Sequence, residues 1–166
     1  METLTDWLIA HKDYALFIVP VIAFSEACPG VGIFVSGVFL LGTCTFLYTE
    51  QIASLSQMLP LAFMGALVAD HCGYYLGRWL GPSFHHTRFA QRRKSLLDKA
   101  EVMFRDYGGF AITLGRLMTA VRSIIPILTG VSGLSPVRYT AYDLLACTVW
   151  TTGLGLLVVG LDNILS

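Results

Sequence analysis

Two arginines inside a long apolar run constrain the fold of this chain more than any other feature. Arg116 and Arg122 lie within an apolar stretch that reaches from Phe110 to Leu134. An arginine at the centre of a membrane-spanning helix costs on the order of 2.5–3.5 kcal/mol on insertion scales, and an unpaired one is also rare in the core of a soluble protein. We therefore expect both side chains to have anionic partners, water or a ligand, and we interpret the segment as a functional site.

Pro126 adds a second irregularity to the same segment. It has no backbone N–H, it clashes with the carbonyl group four residues back, and it disfavours the helical conformation at Ile125. We expect the helix to break just after Arg122, and Gly130 and Gly133 to let the chain turn back. Broken helices at membrane depth occur only where protein or a water-filled cavity covers the free backbone groups. The predicted break therefore also points to a site.

The composition indicates a membrane protein. Of the 166 residues, 55% are hydrophobic and only 13% are charged, whereas soluble domains have about 25% charged residues. The 11 basic and 11 acidic residues balance each other. Much of the basic charge lies in one connecting stretch, at Arg78, Arg88, Arg92, Arg93, Lys94, Lys99 and Arg105. Short basic loops stay on the cytoplasmic side, and because no nucleic-acid motif accompanies this one, we expect no nucleic-acid partner.

The apolar pattern predicts one membrane domain, 1–166, with an all-α, inverted-repeat, transporter-like fold. Two re-entrant (broken) helical hairpins are each followed by a transmembrane helix, and amphipathic interfacial helices are added. The predicted segments are an interfacial helix over 1–14, hairpin 1 over 15–48, a transmembrane helix over 58–79, a basic cytoplasmic loop with an amphipathic helix over 80–107, hairpin 2 over 108–134, and a transmembrane helix over 139–160. Interrupted helices in both halves are typical of transporters whose site lies at the repeat interface.

Glu26 lies beside the interruption of the first apolar segment. We expect the helix to break at Pro29 and Gly30, and again at Gly37. Each arm is shorter than the ~20 residues that one crossing needs. A carboxylate beside distorted backbone at membrane depth is costly when charged, so Glu26 is a candidate for proton exchange.

Asp70 lies in the predicted span 58–79 and shares one helical face with Gly73, Tyr74 and Gly77 by the i, i+3, i+4, i+7 rule. Glycines four residues apart let another helix approach closely. We expect this face to line the site. His71 lies on a different side of the helix, which favours a core or interfacial histidine over a proton relay.

Other polar residues are predicted at peripheral positions. Asp143 and Arg138, near the start of the last span, are expected at the membrane interface. The four cysteines have no CxxC spacing and are interpreted as small buried thiols. No metal site is predicted, because His85 and His86 have no cysteine or carboxylate at ligand spacing. The amphipathic helix of the basic loop would lie on the cytoplasmic leaflet or pack on the protein's own core, and both alternatives stay open.

The arginine segment resembles the G-R-F-x-x-x-x-R-x-x-x-P-x-x-A-G signature of the DedA family, also called the SNARE-associated or VTT-domain family. The matching residues are Gly115, Arg116, Arg122, Pro126 and Gly130. Further landmarks are Glu26, the run Gly65–Asp70 and the run Tyr75–Arg78. The likeness covers Phe24 to Gly160, nearly the whole chain.

The resemblance implies a small inner-membrane protein with two re-entrant hairpins that face each other. Bacterial members are implicated in returning undecaprenyl phosphate, or in moving phospholipids, across the membrane, and several are linked to the proton-motive force; eukaryotic relatives are lipid scramblases. The family's functional acids and arginines correspond to Glu26, Asp70, Arg116 and Arg122. Many relatives have Pro-Gly-Glu or Pro-Gly-Asp at the first hairpin tip, whereas this chain has Ser36-Gly37-Val38. It therefore lacks the second acid of a strict two-carboxylate proton relay.

We expect a bacterial inner-membrane, multi-pass flippase for a phosphate-bearing lipid, undecaprenyl phosphate or a phospholipid, with proton coupling as a candidate driving force. Arg116 and Arg122 are predicted to bind the lipid phosphate, because guanidinium groups donate in a planar fork and stay charged. Glu26 and Asp70 are predicted to couple protons or act as counter-ions. A purely structural role for these ion pairs is the alternative.

Other functions fit the sequence less well. A proton-coupled exporter of small cations or drugs is the main alternative, although negative sites would serve it better than arginines. A lipid phosphatase would need a nucleophile or base beside the arginines, and a scaffold would not need charges on broken helices. We expect no catalytic residue, no cofactor and no metal; the expected partners are membrane lipids and an anionic headgroup, with a homo-oligomer left open.

Overall fold

Helices are the only regular elements in the part of the chain that the structure describes. The computed structural model describes residues 12–28, 31–32, 37–81, 83, 88–92, 94–118 and 122–165. Within these ranges the helices are α1 (Lys12–Ala27), α2 (Gly37–Thr49), α3 (Leu55–Leu80), α4 (Arg88–Arg92), α5 (Lys94–Tyr107), α6 (Phe110–Leu117), α7 (Ile125–Val131) and α8 (Pro136–Leu165). The predicted all-α class is confirmed.

One face of α3 is buried along the length of the helix. Asp70, Gly73, Tyr74 and Gly77 are all buried, so the face predicted from their spacing is confirmed. Towards the start of the helix, Gly65 packs directly on the backbone of α1. The helix therefore packs against elements from both halves of the chain.

The contact between α3 and α7 depends on glycine at two places. Gly77 lies against the backbone of Ile127, and Gly130 of α7 lies against the backbone of Tyr74. A side chain at either position would separate the two helices. The prediction that Gly130 helps the chain to turn back is therefore wrong, because it lies inside α7 and the turn occurs at Gly133, whose φ is +74°.

The second apolar segment is interrupted earlier than predicted. The residue Met118 follows α6 in an extended conformation, and α7 begins at Ile125. Pro126 lies in the first turn of α7, where its missing N–H costs no intrahelical hydrogen bond and its fixed φ suits the helix. The predicted break just after Arg122 is therefore wrong: the proline starts a helix and does not end one.

A single helix in the described ranges, Pro136–Ile164 within α8, is both long and apolar enough to cross a membrane. The helix α3 has 26 residues, but Asp70 and His71 make its middle more polar. The helices α1 and α2 have 16 and 13 residues, or about 24 and 20 Å at 1.5 Å per residue. The hydrocarbon core of a bilayer is about 30 Å thick, so each of these two helices is shorter than one crossing.

The amphipathic helix of the basic loop packs on the protein itself. In α5, Leu97 is buried, and Met103 and Phe104 pack partly buried against the cluster that contains Ile127 and Leu128. The hypothesis that this helix covers the protein's own core is therefore supported.

Several predictions fall on residues outside the described ranges. These are most of the interfacial helix over 1–14, the break at Pro29 and Gly30, and the pair His85 and His86.

Among the cysteines, Cys44 and Cys147 are buried and Cys28 is half-buried, but Cys72 is exposed, so the prediction of four buried thiols is wrong for that residue.

Candidate functional site

Charged side chains from five parts of the chain converge inside the helical bundle. Glu26 comes from the end of α1, Asp70 from the middle of α3, Arg116 from the end of α6, Arg122 from the turn before α7, and Asp143 from α8. Their side chains are at most 9% exposed. The four residues predicted from the sequence are thus brought together, and Asp143 joins them.

Arg116 is enclosed by two carboxylates and an aromatic ring. Its Nη1 directly contacts Asp70 and lies 3.8 Å from Oδ1 of Asp143. Its guanidinium carbon is 5.2 Å from the centre of the Trp150 ring, within the range of a cation–π interaction. Asp70, predicted to couple protons or to act as a counter-ion, is thus an ion-pair partner of Arg116.

Arg122 contacts one acidic residue twice. Its Nη1 contacts the carboxylate of Glu26, and its Nη2 donates a hydrogen bond of 2.9 Å to the backbone carbonyl oxygen of the same residue. The last four carbonyl groups of a helix have no intrahelical partner and carry partial negative charge. Because Glu26 lies in the last turn of α1, Arg122 both neutralises its carboxylate and caps the helix.

Gly37 makes room for the Glu26 carboxylate. It is the first residue of α2, and a Cβ atom there would lie 2.8 Å from Oε1 of Glu26. The predicted interruption at Gly37 coincides with this helix start. The glycine therefore lets α2 begin directly beside the buried acid.

Asp143 is the site residue that the sequence prediction missed. The prediction placed it at the membrane interface, but it is 1% exposed, and its Oδ2 lies 3.3 Å from Nδ1 of His71. The missed signal is a helical face: Asp143, Cys147 and Trp150 follow the i, i+4, i+7 spacing. His71, expected to be a core or interfacial histidine, is half-buried and connects α3 with this acid.

A cavity of about 360 Å³ opens beside the arginines. Its lining includes Glu26, Arg116 and Arg122, which are almost fully buried, and apolar residues from α2 and α8. Two of the apolar residues, Val38 and Leu157, are 71% and 56% exposed. The cavity therefore has a buried, charged end and an exposed, apolar rim. The remaining lining residues are Gly37, Leu41, Val149, Trp150, Gly153 and Leu154.

The charged end of this cavity has unused hydrogen-bonding capacity. The Nε atoms of Arg116 and Arg122 and the Oε2 atom of Glu26 are buried and have no hydrogen-bond partner among the described residues. Buried polar atoms in proteins nearly always have a partner. Because these atoms are buried, a ligand could accept hydrogen bonds from the two Nε donors only if the ion pairs opened.

The acids beside Arg116 do not form a cation site. Asp70, Asp143 and Cys147 each offer one ligand atom within 4.8 Å of the others. The guanidinium of Arg116, however, contacts or closely approaches both carboxylates. A cation bound there would lie next to an existing positive charge, so we interpret the cluster as the binding site of the arginine.

Comparison with known proteins gives consistent matches. A family model described as the VTT domain matches residues 28–159. The chain is 25% identical over 151 residues to "Inner membrane protein YabI" of Escherichia coli (strain K12), which covers 90% of the chain and 59% of that protein. It is 26% identical over 145 residues to "Protein DedA" of the same strain, covering 87% and 64%.

A third relative is an uncharacterized membrane protein of Buchnera aphidicola (subsp. Schizaphis graminum), 24% identical over 148 residues, covering 89% of the chain and 58% of that protein. The chain thus spans about three fifths of the length of these curated relatives. No solved structure matches it.

Proposed function

The chain belongs to the VTT-domain family, also called the DedA family, and on that premise we propose that it moves a phosphate-bearing lipid, undecaprenyl phosphate or a phospholipid, across the membrane. The observation that carries the proposal is the position of Arg116 and Arg122 at the charged end of the cavity. A charged end and an apolar rim suit a ligand with an anionic head and an apolar tail.

Guanidinium chemistry supports a phosphate as the anion. Arginine stays charged at any physiological pH and presents several donors in one plane, which matches two phosphate oxygens at once. The free Nε donors of Arg116 and Arg122 would be used in such a contact. The carboxylates hold the arginines in the absence of a lipid, and the phosphate replaces them.

The proposed transporter crosses the bacterial inner membrane several times and contains two re-entrant hairpins. The helices α1 and α2 form the first hairpin, followed by α3; the helices α6 and α7 form the second, followed by α8. The short helices of each hairpin and the longer helix that follows support this plan. The two halves have opposite orientations in the membrane, and the charged cluster lies where they meet.

Export of small cations is supported less well. A cation path would need carboxylates that are free of arginine, whereas Glu26, Asp70 and Asp143 all lie beside a guanidinium group.

The test is a headgroup-resolved translocation assay in proteoliposomes, with lipids that carry a phosphate monoester and neutral lipids of equal tail length. We expect Arg116→Lys and Arg122→Lys each to lower the translocation rate of the phosphate lipid at least tenfold. A tenfold change in rate corresponds to about 1.4 kcal/mol in the activation free energy. Lysine keeps the charge but lacks the forked donors. The matched control is Arg138→Lys, at an exposed position of α8, which should transport normally.

Insertion of each variant is checked by its yield in the membrane and by its elution as a single species in detergent. Normal transport by both lysine variants at the site would show that only charge is needed there, and the proposal of phosphate recognition would then be wrong. Equal rates for neutral and phosphate lipids in the wild type would also contradict it.

A further inference from the structure

The buried charges around the two arginines do not balance. Three carboxylates, of Glu26, Asp70 and Asp143, lie beside two guanidinium groups, of Arg116 and Arg122. With all of them ionised, the cluster has three negative and two positive charges, a net charge of −1. An uncompensated buried charge is strongly destabilising. The cluster is therefore favoured when it also holds a proton.

Among the three acids, Asp143 has the weakest contact with an arginine. Glu26 and Asp70 each directly contact a guanidinium group, whereas the Asp143 oxygen nearest to Arg116 is 3.8 Å away. The other oxygen of Asp143 lies 3.3 Å from Nδ1 of His71. The additional proton is therefore best placed on the pair formed by Asp143 and His71.

The surroundings of His71 suit both of its protonation states. Its Nδ1 lies 3.0 Å from the carbonyl oxygen of Leu67 as well as beside Asp143, and both neighbours accept hydrogen bonds. Its Nε2 lies 3.1 Å from the hydroxyl of Thr140, which can donate to a neutral ring or accept from a charged one. The His71 side chain is 26% exposed and that of Asp143 is 2% exposed. His71 therefore links the buried acid with the protein surface.

We propose that Asp143 and His71 form a proton-exchanging pair, and that protonation of Asp143 leaves Asp70 as the one carboxylate among the described residues that competes with the anionic headgroup for Arg116. This inference rests on the proposed function and names the group that couples it to protons. The ring takes up a proton at Nε2 and passes the proton on Nδ1 to Oδ2 of Asp143, which leaves a neutral imidazole with its proton on Nε2. When the headgroup leaves, Asp143 returns a proton to Nδ1, the ring releases the proton on Nε2, and the ionised Asp143 again competes for Arg116.

Asp143 reaches the charged cluster from α8, and one of its oxygens lies within 4.8 Å of a carboxylate oxygen of Asp70. The titratable and charged groups that face Asp143 are His71 and Asp70 from α3, Arg116 from α6, and Cys147 and Tyr139 from its own helix.

The experiment measures the pH profile of translocation of a phosphate-monoester lipid in proteoliposomes. The wild-type rate should rise as the pH falls, because a protonated Asp143 no longer competes with the headgroup for Arg116. Asp143→Asn mimics the protonated acid. The pH dependence of its translocation rate should therefore involve one proton fewer than in the wild type, and the rate should stay high at high pH. Asp143→Glu should restore the pH dependence. Asp162→Asn, on the same helix and hydrogen-bonded to Thr49, is the matched control and should keep the wild-type profile.

A wild-type pH profile in folded Asp143→Asn would overturn the proposal. If that variant does not fold, the test is His71→Gln, at the partly exposed partner of Asp143. A wild-type pH profile in His71→Gln would equally overturn the proposal. A second measurement does not depend on transport: infrared difference spectra of the purified protein between two pH values. We expect a band from a protonated carboxyl group that is lost in Asp143→Asn and shifted in its pH midpoint in His71→Gln.

These measurements separate the two proposals. A wild type that translocates no lipid at any pH would refute the proposed function, while the infrared band would still report whether Asp143 exchanges a proton with His71. Normal translocation without a titrating band would refute this inference alone.

Discussion

At the scale of single residues, the two arginines differ in how firmly they are held. Arg116 lies between two acids and beside the ring of Trp150. Arg122 has one acidic partner, Glu26, and the end of α1. A ligand therefore has to displace only one carboxylate to reach Arg122, and two to reach Arg116. We infer that an arriving headgroup contacts Arg122 first.

Glu26→Gln should strengthen headgroup binding and weaken its pH dependence. The amide keeps the shape of the side chain but removes the negative charge that competes for Arg122. In the wild type, protonation of Glu26 removes the same competition, so binding should tighten as the pH falls; the variant should resemble the low-pH wild type at every pH. Calorimetry with a short-chain, soluble phosphate lipid would measure both effects.

Asp70→Asn is the contrasting variant for this measurement. It leaves Arg116 without its direct partner, and breaking a buried ion pair by removing one member costs about 3–5 kcal/mol. Asp143 still lies beside Arg116 in this variant, so we expect lower stability at every pH and a smaller gain in affinity than in Glu26→Gln. Equal binding curves for Glu26→Gln and the wild type would show that Glu26 does not compete with the ligand.

The sequence predicted which arginines and acids are special, but not all of their partners. An arginine in an apolar segment needs an anion, so Glu26 and Asp70 could be inferred as candidates without coordinates. Asp143 could not be placed from its distance to the end of its span. The helix α8 begins at Pro136, about two turns before Asp143, and the packing of α3 and α6 buries the acid at that depth.

At the scale of helices, glycine spacing predicted a packing face but not the partner or the local geometry. Of the predicted pair, Gly77 packs on the backbone of Ile127, and Gly73 is buried on the same face of α3. The role of Gly130 was mistaken, since a glycine after a proline suits a turn as well as a tight helix contact. Pro126 is ambiguous for a similar reason, because proline ends a helix from its interior but begins one from its first turn.

Gly77→Ala should destabilise the protein, although alanine favours helices. In an exposed helix this change stabilises by about 0.5–1 kcal/mol. At Gly77 the added Cβ atom would collide with the backbone of Ile127, which cannot move without shifting α7. We therefore expect a lower melting temperature in detergent and, because α7 follows Arg122, slower transport.

The matched control is Gly160→Ala. Gly160 also lies inside a helix, and a Cβ atom there has nothing within 4 Å. This variant should melt at the wild-type temperature or slightly higher. Equal melting temperatures for the two variants would mean that α3 and α7 do not pack tightly in solution.

At the scale of the whole molecule, the surface agrees with membrane location. Large apolar side chains such as Phe39, Trp79 and Leu156 are 64%, 81% and 71% exposed, which suits contact with lipid tails. The order of short, apolar and amphipathic segments follows from hydropathy alone. How the two halves meet does not, because it depends on the approach of α1 and α7 to the same helix, α3.

The remaining prediction concerns the orientation of the halves. If α3 crosses the membrane and the basic loop is cytoplasmic, Glu50 before α3 faces outward and Ser95 in α5 faces the cytoplasm. Both residues are exposed and are suitable for single-cysteine labelling, whereas Ala53 in the same outer loop is 5% exposed and is not. The single cysteines are introduced into a protein that carries Cys28→Ala and Cys72→Ala, because Cys72 is exposed and Cys28 is half-buried.

An impermeant maleimide should label Glu50→Cys in intact spheroplasts and Ser95→Cys only in inside-out vesicles. The physical reason is the bias of short basic loops towards the cytoplasm. This bias fixes the orientation of the first half in the membrane. Because the second half follows α5 from the cytoplasmic side, it takes the opposite orientation. Full labelling of both cysteines after solubilisation is the control for reactivity. If both react from the same side of the sealed membrane, α3 does not cross it. The two hairpins would then enter from one face, and Arg116 and Glu26 could not meet as members of inverted halves.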